Sequence, residues 1–412
     1  MKLTLKYYPR WNEVQQQIVE ELSFHTTKLY NIANHQCREI KYKSYRALEK
    51  ELKQNWHSPY LHSHTYQQLL KVLEQNWKSY FNSLRDYKQN PTKYKAMPQP
   101  PRYKHLVNHK NEVIFTNFAI RRKDENILLS LSKTLQNKFQ VDSLKVEVPK
   151  TLPLPESSQL QQIRIQYDRL KKAWYLLIIY KIAHKMESSS ANMMAIDLGL
   201  DNLAAITFSH SEDNYIINGR SLKSINGYIN KRIAMLQSIR MKQVGAKSFK
   251  TTTQIQRLRK KRHDYITNTL HQASRRIIKW AEHYQVGHII IGNIKGIKQE
   301  NHHKTFVQIP ISRFTQMIVY KAELAGIKVT YQNEAYTSGV SAFDLEPIMK
   351  QYYNKGRRVK RGLFQTNQGY YVNADINGSL NILRKVYTGI PNLIKSVRDN
   401  GCVNHPQRIR VA

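Results

Sequence analysis

Residues 193–207 read MMAIDLGLDNLAAIT. An apolar run carries one acid, Asp197, turns through Gly199, and resumes at Leu203. Two short apolar segments about a glycine turn spell a β-hairpin with a core-facing side. A carboxylate inside such a run is costly unless something pairs with it. A backbone amide or an arginine would be the ordinary partner. A second acid in a similar setting, Asp375 in YYVNADINGSLNI at 370–382, points further. Two acids, each at a strand end or helix start, suggest a metal-binding carboxylate cluster.

The segments around this hairpin alternate in kind. Strand patterns at 192–198, 203–208 and 215–218 precede a long basic helical stretch, 222–284, which breaks near Val244-Gly245-Ala246 and so predicts two antiparallel helices. A fully apolar strand at 286–291, a loop with Gly292, Gly296 and Pro310, a helix at 311–325 and a strand at 327–332 follow. The last core helix starts near Asp375 and runs through Leu380, Ile382 and Val386. Three strands, then helix, strand, helix, strand, helix, is the order of a ribonuclease-H-like fold, whose mixed sheet presents acids near its strand ends.

Upstream, residues 2–8 alternate as a half-buried strand, and 12–77 carry a helical period through Val14, Ile18, Leu22, Leu29 and Leu69–Leu73. Aromatics and cations interleave there, among them Trp11, Tyr30, Tyr45, Trp56, Trp77 and Tyr80; most should be core packing, and the rest could stack on bases. A proline-rich connector occupies 90–103. Short strand-like runs at 112–118, 127–131, 144–148, 160–167 and 173–182 predict a small β-barrel that the first strand joins. The serine-rich stretch 187–192 reads as the domain linker. The expected architecture is thus α/β and multidomain. Residues 1–9 form the first barrel strand, 10–110 a helical insertion, 111–187 the rest of the barrel, 188–388 the ribonuclease-H-like domain, and 389–412, with Pro391 and Pro406, a flexible tail.

Composition bounds the partner. In 412 residues, 66 Lys and Arg face 29 Asp and Glu, a formal net charge of +37. An excess that large marks a polyanion binder, with nucleic acid the default partner. No apolar stretch approaches the ~18 residues of a spanning helix, so no membrane partner is expected. The opening MKLTLKYYPRWNE carries no apolar signal core, and the two cysteines, Cys37 and Cys402, stand in unrelated contexts. A cytoplasmic protein acting at the nucleoid is the expectation.

The motifs AIDLGLDNLAAIT at 195–207, EAYTS at 334–338, GRRVKRGLF at 356–364 and VNADINGSLNI at 372–382 resemble, in order and spacing, the TnpB (OrfB) family of insertion-sequence proteins. That family is related to the type V CRISPR effectors and to Fanzor. The resemblance covers 190–390; the N-terminal half matches in layout only, as a wedge barrel with a helical recognition insertion. It implies a RuvC nuclease domain with three acids binding Mg²⁺ (Mn²⁺ as the alternative), a guide RNA from the transposon end, and double-stranded target DNA beside a short flanking motif. Two such ions, held roughly 3.5 to 4 Å apart by carboxylates, serve phosphodiester hydrolysis. Asp197 matches the first family acid and Asp375 the last.

The second acid departs from the pattern. Where most members end the HIIIG strand in glutamate, this sequence has Gly292. One reading is a dead nuclease that binds guided targets as a repressor. The other is an acid moved to the following strand, as in a rearranged subset of the family, with Glu334 in QNEAYTS as the replacement. If the glycine strand lies between those of Asp197 and Glu334, two spacings of about 4.8 Å separate the acids' strands. A glutamate bridges that gap only over an intervening position with no side chain. Residues 338–371, where relatives often carry paired CxxC motifs, contain no cysteine or histidine, so no structural zinc is expected in this hairpin insertion. Val340, Phe343, Leu345, Ile348 and Phe364 are its expected core.

Arg257, Arg259, Lys260 and Arg262 on the predicted basic helix, Arg121 and Arg122, and Arg357 and Arg358 with Lys360 and Arg361, are expected phosphate contacts. The clusters His57/His62/His64 and His302/His303 are expected to be solvated or to touch phosphate rather than metal. The catalytic and metal-binding set is Asp197, Glu334 and Asp375, in an RNA-guided DNA endonuclease. A true transposase is the weaker reading, since no nucleophilic Tyr or Ser motif supports it.

Overall fold

The computed structural model describes residues 1–107, 110–183, 185–245, 251–293, 309–360, 362–387, 389, 394 and 406–411. Arg361, Gly296, His302 and His303 lie outside them. The chain forms two compact units, Met1–Ala183 and His184–Ala412.

In the first unit, β1 (Lys2–Tyr7) leads into α1 (Glu13–His35), α2 (Tyr45–Glu51) and α3 (Ser63–Gln89), and the chain returns to sheet at β2 (Val113–Thr116). A reciprocal capping box starts α1: the Asn12 side chain accepts from Gln15 N at 2.8 Å and the Gln15 side chain from Asn12 N at 3.0 Å. Next come β3 (Ile120–Lys123), β4 (Asn126–Ser130), α4 (Lys133–Phe139), β5 (Ser143–Glu147), β6 (Gln159–Asp168) and β7 (Ala173–Lys181). Ile18, Leu22 and Leu29 of α1 and Leu70 and Leu73 of α3 share one apolar core with Phe115, Ile163, Leu176 and Ile178 of the strands.

These strands do not close into the expected barrel. Among the described residues they make two open sheets, β1-β7-β6-β2 and β3-β4-β5. A tight turn at Asn117–Ala119 interrupts the ladder after β2. The edge strand β3 then exposes Arg121, Arg122 and Lys123. Consecutive charges on an edge oppose further pairing.

The second unit is built on a six-stranded sheet of order β12-β11-β8-β9-β10-β15. Its strands are β8 (Met193–Leu198), β9 (Asn202–Phe208), β10 (Tyr215–Asn218), β11 (His288–Asn293), β12 (Lys328–Asn333) and β15 (Gln407–Ile409). The hairpin β8–β9 is antiparallel, and β11 runs parallel to both β8 and β12. The segment expected to be a flexible tail supplies β15, which pairs parallel with β10 and sets Ile409 opposite Ile217. A period too short to register in sequence is enough to extend a preformed edge.

Helices α5 (Arg220–Val244) and α6 (Thr253–His283) pack through Ile229, Ile233 and Ile255, and Gly245 ends α5 at φ +60°. One face of the sheet, with Ile196, Ile289 and Ile291, packs on α6 and on α7 (Ile311–Ala325) through Leu270, Ile277, Phe314 and Ile318. The other, with Ala195, Ala205 and Ile290, packs on α8 (Ala374–Arg384) through Ile376, Leu380 and Ile382. Cover on both faces explains why β8 and β11 read as nearly continuous apolar runs. In the 338–371 insertion, β13 (Leu363–Gln365) pairs antiparallel with β14 (Tyr371–Asn373). Val340, Phe343 and Phe364 are buried there, but Leu345 is exposed, its backbone turned to φ +54°. That left-handed turn points the side chain away from the core its spacing predicts.

Candidate active site

Asp197 is the fifth residue of β8, and strand alternation puts it on the face of Ala195, under α8. The helix is pinned there: Ser379 Oγ donates to Ala195 O at 3.1 Å and shares a hydrogen bond of 2.9 Å with Thr207 Oγ1. The residue before Ser379 is Gly378, where a Cβ would lie 2.6 Å from Asp197 Oδ2. The helix can pass over the carboxylate only because that position has no side chain.

Asp375 sits in the first turn of α8, where the helix dipole favours a negative charge. The Asn373 side chain caps that turn, accepting from the backbone N–H of Asp375 at 3.0 Å and of Ile376 at 3.2 Å. The Asp375 carboxylate accepts from Asn202 Nδ2, at the start of β9, and from Arg358 Nη2 at 3.2 Å.

Glu334 directly follows β12, and β11 does lie between β8 and β12. In register, Ile291 pairs with Ile196 and Gly292 with Gln332, so Gly292 comes level with the two strand ends that carry the acids. The Glu334 carboxyl group fills the space above Gly292. A Cβ there would stand 2.8 Å from Glu334 Cδ and 2.8 Å from Ile382 Cδ1, and would overlap Oε1. Glu334 Oε1 is buried and has no hydrogen-bond partner. Lys385 Nζ grips the same turn, donating to Asn333 O and Ala335 O at 2.8 Å each.

The electrostatics follow from this crowding. Burial pushes the Glu334 carboxyl up to about 7, against the pull of Lys385. Burial, then the charges of Glu334 and Asp375, push Asp197 well above the usual carboxylate range, with Arg358 opposing. As placed, no three His, Cys, Asp or Glu side chains among the described residues stand close enough to hold one ion. Yet Asp197 feels both other acids, and an orphaned buried oxygen between like charges is a defect that a hard cation relieves. The donors are all carboxylate oxygens, the ligand type that a hard divalent cation takes, and Gly292 and Gly378 make room for the carboxyl groups of Glu334 and Asp197.

The basic residues divide. Arg257, Arg259 and Arg121 are exposed, and Arg122 donates to Pro155 O at 3.0 Å and Glu156 O at 3.3 Å. Arg262 donates to Asn230 Oδ1 at 2.6 Å, and Lys260 lies 3.6 Å from Asp264. Arg357 is not a free phosphate contact: it is held by both oxygens of Glu346 at 2.7 Å. Arg358 contacts an acid of the site rather than solvent alone. His57 is not solvated either; it is buried, with its Nδ1 2.9 Å from His25 Nδ1, and burial lowers its pKa to about 4. His62 caps α3, and His64 stacks on Phe118. Asn202, Gly378 and Ser379 were missed from sequence, though each stands inside a quoted motif, a few residues from its aspartate.

Two family models match. One, described as "Probable transposase" (OrfB_IS605), covers residues 177–298, and the other, the Cas12f1-like TNB domain, covers 312–382. The chain is a TnpB and type V effector relative. It is 28% identical over 249 residues to the CRISPR-associated endodeoxyribonuclease Cas12f1 of Sulfoacidibacillus thermotolerans, covering 59% of this chain and 56% of that protein. It is 24% identical over 259 residues to the TnpB-like protein ORF457 of Acidianus two-tailed virus, covering 57% and 54%. The chain thus spans about half the length of the curated relatives it matches. Its mixed α/β fold is similar to that of Cas12f1 in the cryo-EM structure of the Cas12f1-sgRNA-target DNA complex, with a TM-score of 0.53 at 14% identity, over 90% of this chain and 81% of that one.

Proposed function

We propose that this chain is an RNA-guided DNA endonuclease, with Asp197, Glu334 and Asp375 holding Mg²⁺ or Mn²⁺ in a RuvC-type site. The observation that carries the reading is Glu334 Oε1, buried without a donor in the space that Gly292 leaves beside the Asp197 strand. When bound, divalent ions supply an activated water and stabilise the leaving oxygen of a phosphodiester. The chain's own residues prepare the place. Gly292 and Gly378 make room for the Glu334 and Asp197 carboxyl groups, Asn373 and Asn202 fix Asp375, and Lys385 holds the turn that aims Glu334. The exposed Arg257, Arg259 and Arg121 would bear on phosphates without reading sequence. Base pairing with a guide from the transposon end would read the target, and the N-terminal unit the flanking motif. The protein would act in the cytoplasm, at the nucleoid.

The test is cleavage of matching duplex DNA by the protein bound to its transposon-end RNA, with Mg²⁺. Wild type should cut, and Glu334→Ala should bind the target equally well but leave it intact. Mg²⁺ should also raise the melting temperature of wild type and not of the variant. Equal cutting by Glu334→Ala would remove Glu334 from the set. A second reading, a guided binder without scission, is favoured by Arg358, which already neutralises Asp375. It predicts target binding and no cut at any Mg²⁺ or Mn²⁺ concentration.

A further inference from the structure

We propose that a cleft in the N-terminal unit receives one unstacked base, with its phosphate, of a single-stranded polynucleotide. The cleft, of about 590 Å³, runs between α3 and the proline-rich connector. Its size suits one nucleotide, since small-ligand sites run from roughly 300 to 1,000 Å³.

The connector is a fixed wall. Asn31 exchanges two hydrogen bonds with the Lys104 backbone, at 2.9 and 2.8 Å. Asn34 Nδ2 and Arg38 Nη1 both donate to Pro101 O, at 2.9 and 3.0 Å. Asn34 is itself oriented by Trp77 Nε1, which donates to its Oδ1 at 3.0 Å. Prolines set the backbone and asparagines lock it to α1, so the cleft stands open before any ligand arrives.

The lining specifies the occupant. Tyr80 and Tyr103 offer aromatic rings, and Tyr103 is 44% exposed while Arg38 lies 5.1 Å over its ring. Asn76 Nδ2 donates to the Tyr30 hydroxyl at 3.2 Å and Gln99 Nε2 to Met97 O at 3.3 Å, and their amide oxygens can accept from base edges. Arg102 and Lys104 supply the charge, and no carboxylate lines the cleft. Rings for stacking, amides for edges and cations without a counter-acid match a nucleotide and not an acidic-tolerant or purely apolar ligand. Duplex bases are stacked and paired, so only a single strand can offer one. The inference shares the class of partner with the endonuclease reading but uses none of its acids.

The test needs no guide, target or metal. The full chain is titrated with a short single-stranded RNA and, separately, with DNA of the same sequence, each carrying 2-aminopurine, and with the matching duplex. Stacking should quench the fluorophore. Tyr103→Ala should lose the quench and weaken single-strand binding about tenfold, as one lost stack of about 1 to 3 kcal/mol implies. Tyr103→Phe should keep both, and the exposed Arg102→Glu should weaken binding without altering the circular dichroism. A response to RNA alone identifies a guide strand as the source, and to DNA alone a displaced target strand. Unchanged quenching in Tyr103→Ala, or capture of a proline-rich peptide by the cleft with no effect of the variants on oligonucleotides, overturns the proposal. Glu334→Ala should bind these oligonucleotides like wild type, so failure here and failure of the nuclease reading are separable.

Discussion

Glu334 and Glu346 stand a dozen residues apart in one chain, and their surroundings are opposites. Glu346 is buried and fully met. Arg357 Nη1 reaches both its oxygens at 2.7 Å, Ser341 N donates to it at 2.9 Å, and Asn367 Nδ2 donates as well. Those donors hold its carboxyl below the usual range although burial opposes them. Glu334 is half-buried, with its Oε1 buried and unmet, and its carboxyl rises to about 7. The first arrangement is complete within the protein and organises the insertion. The second is completed only by something added. A buried acid therefore signals function not by its burial but by what fails to meet it.

The sharpest way to break this contrast is to delete each acid. Glu334→Ala should reduce DNA cleavage to background in a guided assay while leaving the thermal melt of the metal-free protein unchanged or higher. Glu346→Ala should lower the melt, with cleavage falling only as the fold does. If both variants lose cleavage at equal stability, Glu346 belongs to the site and the contrast is wrong.

A smaller effect is expected at Gly292. Alanine there places a Cβ 2.8 Å from both Glu334 Cδ and Ile382 Cδ1, so the carboxyl must turn aside. Displacing a ligand this way typically costs about 10- to 100-fold in activity. Single-turnover cleavage by Gly292→Ala measures it, and full activity would show that Glu334 does not work from above that glycine.

On the stability side, Arg357→Ala leaves the Glu346 charge buried without its main partner. Breaking such a pair costs about 3 to 5 kcal/mol, and the partial exposure of Arg357 favours the lower figure. For a unit of this size, about 3 kcal/mol lowers the melting temperature by roughly 6 to 12 °C. A change under 2 °C would mean that Ser341 and Asn367 suffice.

These contrasts also mark where sequence reading succeeds. The β8–β9 hairpin, the apolar centre of β11 and the start of α8 near Asp375 are local patterns, legible because strand and helix periods act over a few residues. Asp197 and Asp375 stand on those elements, and the charge of Asp375 bears on Asp197. Partners distant in the chain were not legible. Arg357 read as one of a basic run because nothing local says that Glu346 folds back onto it. His57 read as solvated because His25, on another helix, is what buries it. The two open sheets read as a barrel because strand patterns encode alternation but not which neighbour each strand takes.

The smallest expected effect is on pH dependence, and it runs in opposite directions for the two acids. Glu334, raised from 4.5 to about 7 in the fold, binds its proton more tightly folded than unfolded. Its contribution to stability is full below about pH 4.5 and is lost as pH rises through about 7. Glu346, lowered from 4.5, contributes fully above that value and loses its share as pH falls through its folded pKa. Melting curves of metal-free wild type and Glu334→Gln between pH 5 and 8 isolate the first term, because the amide does not titrate. The melting temperature of wild type should fall relative to the variant across this range, by a few degrees once solvent screening of the half-buried carboxyl is allowed for, and Mg²⁺ should narrow the gap near pH 8 by offsetting the charge that the fold leaves unmet. Parallel curves without metal would mean that Glu334 is as well satisfied as Glu346, and the distinction between a finished acid and a waiting one would fail.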